Sequence, residues 1–225
     1  MDIRVAISQF IEGAGKNKGR KPDERYSSFD FCYNYFYSFY KEDRISELSN
    51  DNNIEMSCLQ IGFYLASWGM LRGSSFLLEK SVRHFRNLII AISKMDRKLW
   101  EIDVASYDYD NISLLLDCKR EIINALGVNN NPSETLVTKI MLGVFANIPA
   151  FDQYFKKGLK VSSVSRKSLL KVRSFYEENK KDFDSFEIYT FDFLTSKETN
   201  ILYKKAKLID MYGFIVGGNA INSIY

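Results

Sequence analysis

Along most of this 225-residue chain apolar residues recur at intervals of three and four, the spacing of amphipathic helices. Ile3, Ala6, Ile7, Phe10 and Ile11 set out a first helix, closed by Gly13 and Gly15. The stretch GKNKGRKPDER that follows reads as a polar, basic loop, and a mobile segment over 13–26 is expected. In the second helix, eight of the twelve residues 29–40 are aromatic, too many for one narrow stripe. At 100° per residue Phe29, Cys32, Tyr33, Phe36, Tyr37, Phe39 and Tyr40 share one broad face, and Asp30, Asn34 and Ser38 line the other. Phe31 and Tyr35 flank the polar strip as an i, i+4 pair, which makes them this helix's candidate binding residues. Ser27 with Asp30 resembles a capping box at its start.

The same periodicity predicts helices over 53–71 and 75–96, then over 110–126 with Gly127 as C-terminal cap. Ser133 reads as the N-cap of a helix running to about residue 146. Pro149 suits a first helical position, with Asp152 complementing that N-terminus, Lys156 and Lys157 its C-terminus and Gly158 its end. Helices over 163–181 and 198–216 follow, the last ended by Gly217 and Gly218. For 183–194 a helix is expected, with a short strand as the alternative. The fold expected is all-α, a single compact domain over 1–225 with about eight to ten helices.

Composition narrows the class. The apolar fraction of 46% and charged fraction of 26% suit a soluble globular chain that buries a sizeable core, and the 15% aromatic content makes that core ring-rich. A net charge of +3 does not by itself indicate a nucleic-acid partner, so the distribution of charge has to decide. Cys32, Cys58 and Cys118 are odd in number, widely spaced and set in apolar patterns, which reads as buried free thiols in a reducing compartment rather than a disulfide framework. The N-terminus lacks the pattern of a signal peptide, and the longest nearly apolar run, 61–71, is too short for a bilayer. A cytoplasmic protein with no membrane partner is expected.

Several chemistries lack their residues. One histidine and no closely spaced cysteine pair exclude zinc, and no other metal or cofactor is expected. His84, in KSVRHFRN, reads as a surface residue, and the arginine that helical HEPN-type ribonucleases carry a few residues before their histidine is absent. The acids Glu101, Asp103, Asp108, Asp110 and Asp117 lack an EF-hand's glycine and closing glutamate, so they read as a helix cap and a solvated face.

Two stretches keep a functional reading. In LASWGMLRGSSFLLEK, an apolar helix gives way to Arg72, Gly73, Ser74 and Ser75. An arginine and two hydroxyls at such a corner suit a phosphate or carboxylate, so Arg72, Ser74 and Ser75 are candidate anion ligands; the alternative is a tight corner capped by its own serines. The segment 156–173 carries Lys156, Lys157, Lys160, Arg166, Lys167, Lys171 and Arg173 with no acid between them. That density, with serine donors, suits the phosphates of DNA or RNA, joined by Lys16, Lys18, Arg20 and Lys21 of the loop; a solvated helical face is the alternative.

The blocks RYSSFDFCYNYF, LASWGMLRGSSFLL, TKIMLGVFANIPAFDQYF and KLIDMYGF together resemble a family of helical bacterial proteins without an assigned activity. The resemblance implies a helical fold and a bacterial, cytosolic origin. TKIMLGVFANIPAFD also resembles the helix-hairpin-helix DNA glycosylases, which place a lysine on one helix and a catalytic aspartate at the start of a later one. That resemblance implies catalytic roles for Lys139 and Asp152, although GVNNNPSET stands where the glycine-rich hairpin would be. The leading expectation is a non-enzymatic, nucleic-acid-associated protein. The alternatives are a module docking a protein partner in a bacterial defence or toxin-antitoxin system, and a glycosylase-like enzyme.

Overall fold

A computed structural model of the chain describes residues 1–13 and 18–222, with side chains through residue 219. Its described part is all-α but for one small hairpin. The helices are α1 (Ile3–Glu12), α2 (Ser28–Lys41), α3 (Ile54–Ser67), α4 (Arg86–Ile92), α5 (Tyr109–Leu126), α6 (Glu134–Phe145), α7 (Gln153–Leu159), α8 (Arg166–Glu178), α9 (Lys180–Asp184) and α10 (Lys205–Asn222). Strands β1 (Tyr189–Phe191) and β2 (Glu198–Leu202) pair antiparallel, with Tyr189 opposite Leu202 and Phe191 opposite Glu198.

The aromatic face of α2 is core. Phe29, Tyr33 and Phe36 are fully buried in a hydrophobic cluster that extends from Ile3 in α1 to Met211 in α10. Helix starts follow local capping chemistry. Asp2, Asp108, Ser133, Asp152 and Ser165 each accept a backbone N–H of the first turn of α1, α5, α6, α7 and α8.

Where the expectations fail, side chains have displaced the local rule. The Ser27–Asp30 capping box does not form: Ser27 makes no side-chain cap, and Asp30 turns inward to a buried pair with Arg20. Arg20 also anchors the loop expected to be mobile, and Lys18 pairs with Glu24; residues 14–17 of that loop, Lys16 among them, lie outside the described residues. The expected helix over 75–96 divides into 3₁₀ turns Phe76–Glu79 and Val82–Phe85 ahead of α4, because Lys80 and Ser81 are extended where Leu77 and Phe85 both turn into the core.

Pro149 is not helical. The amides of Ala150 and Phe151 are taken by Asp210 and Thr138 side chains, so α7 starts only after Asp152. Nor do Gly158, Gly217 and Gly218 end helices. Gly158 lies inside α7 against Gly213 of α10, where a Cβ would come within 2.5 Å of the Gly213 carbonyl, and a Cβ on Gly217 would run into the Tyr154 carbonyl. These glycines let two backbones approach. Of the segment 183–194, the strand reading holds: α9 ends at Asp184 and β1 follows, while 198–202, expected as helix, forms β2. His84 is half-buried rather than on the surface.

Buried charge pins the hairpin and α10 to the helices. Asp30 Oδ2 accepts from Arg20 Nε (3.0 Å), Arg20 Nη2 (2.8 Å) and the Phe191 amide (3.1 Å), while Tyr203 donates to Oδ1 and Arg20 donates to the Tyr189 carbonyl. Burial works against the Arg20 charge, but Tyr203 and Asp30 outweigh it and hold the guanidinium above its ordinary pKa. Lys204 donates to the carbonyls of Trp100, Ile102 and Phe145, and Asp103 accepts from the Lys205 and Ala206 amides, fixing the start of α10.

Candidate functional site

The basic segment is only partly available to a ligand. It spans the end of α7, the turn and most of α8. The Arg166 guanidinium lies 3.9 Å over the Tyr109 ring and donates to the Tyr109 carbonyl and Ser113 Oγ. Arg173 donates to the Tyr107 carbonyl at 3.0 Å. Both arginines therefore dock α8 onto the start of α5. Lys171 Nζ donates to the Lys160 carbonyl at 2.8 Å, drawing α8 against the end of α7. Lys157, Lys160, Lys167 and Lys171 are exposed and Lys156 half-exposed around this turn. Of the loop basics, Lys18 and Lys21 are exposed, whereas Arg20 is internal and cannot contribute to an external footprint.

Arg72, Ser74 and Ser75 are brought together with residues from the other half of the chain. They line one side of a cavity of about 440 Å³, opposite Asn130, Asn131 and Ser133 of the loop leading into α6. Ser75 Oγ accepts the Leu77 amide and Ser133 Oγ the Leu136 amide, so the capping alternative also holds for Ser75.

Lys139 and Asp152 also meet, as an ion pair of 3.4 Å whose side chains are 6% and 14% exposed. Asp152 Oδ1 accepts the Phe155 amide at the start of α7, and Lys139 Nζ lies 4.8 Å from the centroid of the Trp68 ring. A second pair, Lys207 with Asp210 at 3.1 Å, is buried among Phe10, Phe29 and Trp68. The first pair ties α6 to the start of α7, and the second lies within α10, whose Asp210 also accepts the Ala150 amide ahead of α7. Among the described residues, no group of three or more His, Cys, Asp or Glu side chains is placed to hold a metal ion, and no helix is long and apolar enough to cross a membrane. The three cysteines are buried free thiols.

Of the two flanking rings on α2, Tyr35 is structural: its hydroxyl meets Ser57 Oγ at 2.9 Å and ties α2 to α3. Phe31 instead lies edge-on to Phe193 at 5.3 Å and lines a groove of about 640 Å³ with Leu59, Phe63 and the 22–25 turn. Of its lining residues Phe63 is 72% and Phe193 74% exposed; Leu194, next in the chain to Phe193, is 88% exposed, and Met56 and Leu59 are exposed on α3. Phe63 and Leu59 also line a second, smaller apolar hollow of about 250 Å³ on the far side of α3.

Of this surface the sequence reading named only Phe31; the rest of its signal lay in α3. IEMSCLQIGFYLAS is apolar around most of its circumference. Cys58, Ile61, Tyr64 and Leu65 satisfy the core, which leaves Met56, Leu59 and Phe63 as a second stripe one to two turns long. Phe193 and Leu194 join it because the hairpin turn lies beside α2, where Asn34 donates to the Phe191 carbonyl. Comparison with family models, with curated proteins and with solved structures finds no match to the chain, so the surface and the cavities are read on their own chemistry.

Proposed function

We propose that this protein is a binding module that docks a protein partner through the apolar face formed by Phe31, Met56, Leu59, Phe63, Phe193 and Leu194. The observation that carries the reading is the exposure of Phe63 and Phe193 in one groove, with Leu194 exposed next to Phe193 in the chain. Folded monomers rarely leave several large apolar side chains contiguous in water, since each forfeits about 1.5–3 kcal/mol of burial. The groove takes apolar side chains from the partner, with Asp23, Glu24 and Arg25 as its polar rim.

The test is a photo-crosslinking residue placed at Phe63 in the producing cell, with a matched one at Tyr109, another exposed ring on a different surface. One discrete adduct from position 63, lost when Phe193 and Leu194 are replaced by Ser, supports the reading. No adduct, or the same products from both positions, refutes it.

A second reading, association with DNA or RNA, is favoured by the turn between α7 and α8, where Lys171 donates to the Lys160 carbonyl and the exposed lysines gather. On this reading Lys156, Lys157, Lys160, Lys167 and Lys171 contact phosphates, while Arg166 and Arg173 position α8. Fluorescence anisotropy against labelled DNA and RNA at low and moderate salt tests it: binding that weakens steeply with salt supports it, and no binding at low salt removes it.

A further inference from the structure

We propose that the cavity between the corner after α3 and the loop before α6 is a binding site for a small organic phosphate monoester. Its volume of about 440 Å³ lies in the usual small-molecule range, and a bare inorganic anion would leave much of it empty. Among the described lining residues Arg72 is the one charged group; its carbonyl accepts the Ser75 amide, while its guanidinium forms no ion pair or hydrogen bond among the described residues. The lining therefore carries one positive charge, on an exposed side chain, and no negative one. Gly69, at φ 74°, lies directly beneath the guanidinium; a Cβ there would sit 2.7 Å from Arg72 Nε. The fork can thus lie flat over backbone at the cavity edge and present its N–H groups inward.

The hydroxyls add to this. Ser75 and Ser133 each accept a backbone amide through Oγ, at 3.3 Å and 3.2 Å. Their hydroxyl protons remain to be donated, and the oxygens of a phosphate are acceptors for them. Asn130 already donates to the Leu126 carbonyl at 2.6 Å, which fixes its amide in the wall. Met70, Phe76 and Leu136 supply an apolar side for the body of the ester. Of the first-turn amides of α6, that of Leu136 is held by Ser133 Oγ, and the donors counted for the ester are the Arg72 and serine side chains. An arginine fork with two or more hydroxyl donors matches the three terminal oxygens of a monoester better than a carboxylate's two.

Two sources share this chemistry, a free phosphorylated metabolite and the 5′-phosphate end of a nucleic-acid strand. The full chain is titrated with phenyl phosphate, benzoate, a mononucleotide, and one oligonucleotide carrying either a 5′-phosphate or a 5′-hydroxyl. Amide shifts are followed by NMR and affinities by calorimetry. The expected result is saturable phenyl phosphate binding with shifts at 69–76 and 130–136, weaker binding of benzoate, and a loss of about tenfold or more in Arg72→Gln. Arg72→Gln should keep the wild-type melting temperature, and Arg72→Lys should fall between the two, because it keeps the charge and loses the fork. A mononucleotide that binds as tightly as the 5′-phosphorylated strand identifies a free ester as the source, whereas tighter binding of that strand identifies the strand end. No phenyl phosphate binding at millimolar concentration, or unchanged affinity in Arg72→Gln, would overturn the proposal, whereas equal binding of the 5′-hydroxyl strand would remove the strand end as the source.

Discussion

Asp30→Asn isolates what the buried charge contributes, because it removes one charge and almost no volume. In the native chain the Arg20 and Asp30 side chains are 3% and 0% exposed, and Asp30 is the carboxylate that neutralises Arg20. An asparagine still offers an oxygen to the Phe191 amide, but it leaves a guanidinium charge inside the protein. Removing one partner of such a pair costs about 3–5 kcal/mol. That is a large share of the roughly 5–15 kcal/mol that holds a domain folded. At about 2–4 °C per kcal/mol for a chain of this size, the melting temperature should fall by about 6–20 °C. Thermal and urea unfolding followed by circular dichroism measure both quantities. The double variant Arg20→Met, Asp30→Asn removes the stranded charge and should recover more than half of the loss, since most of the cost of breaking a buried pair is the uncompensated charge it leaves. The two variants also share a local effect. Arg20 holds the Tyr189 carbonyl and Asp30 the Phe191 amide, so hydrogen exchange in β1 should accelerate in both while α5 stays protected. A loss below about 1 kcal/mol in Asp30→Asn would refute the reasoning, because a charge left unpaired in a sealed core cannot cost so little.

Three further outcomes follow from particular contacts. Gly217→Ala should destabilise by about 1–3 kcal/mol, because its Cβ would run into the Tyr154 carbonyl, whereas Gly218→Ala, whose nearest neighbour is Tyr154 Cδ1 at 4.0 Å, should be neutral or stabilise by up to about 1 kcal/mol through helix propensity; urea midpoints of the pair decide it. His84 is held below its ordinary pKa of 6.5, first by burial and then by Lys80, against a hydrogen bond to the Leu126 carbonyl. Its contribution to stability is thus present above about pH 6.5 and lost as pH falls through the lower folded value, so the urea midpoint should drop on acidification and His84→Gln should flatten that slope. Phe63→Asp should leave the melting temperature within the range of an ordinary surface change, about 0.5 kcal/mol, and abolish the partner adduct; a large loss of stability would show that Phe63 belongs to the fold.

How far the sequence disclosed this protein depends on whether a residue's partner lies nearby in the chain. The helices α1, α2, α5, α6 and α8 were legible because their apolar periodicity, and at all but α2 a local side-chain cap, act within a few residues; Ser133 and Gly127 stand where the spacing places them. Several of the errors involve distant partners. Asp30 reads as a cap until Arg20 and Tyr203, ten and 173 positions away, claim it. Gly158 and Gly217 read as stops because their reason is the neighbouring helix. Pro149 reads as a helix start because nothing nearby reveals that Thr138 and Asp210 take the amides beyond it. The candidate sites divide in the same way. Arg72, Ser74 and Ser75 are contiguous, so they were visible, but only the fold supplies Asn130 and Ser133 as the facing wall and turns a corner into a cavity. In the basic run, charge density was visible but not its use, and two of its three strongest-looking hydrogen-bonding members turned out to be fasteners on α5. The apolar groove needed both kinds of information: the surplus stripe of α3 was written locally, whereas Phe193 joins it through a hairpin that the helical period concealed. A helix with more apolar positions than its core contacts use is the one local sign of such a surface, and α3 was the place to look for it.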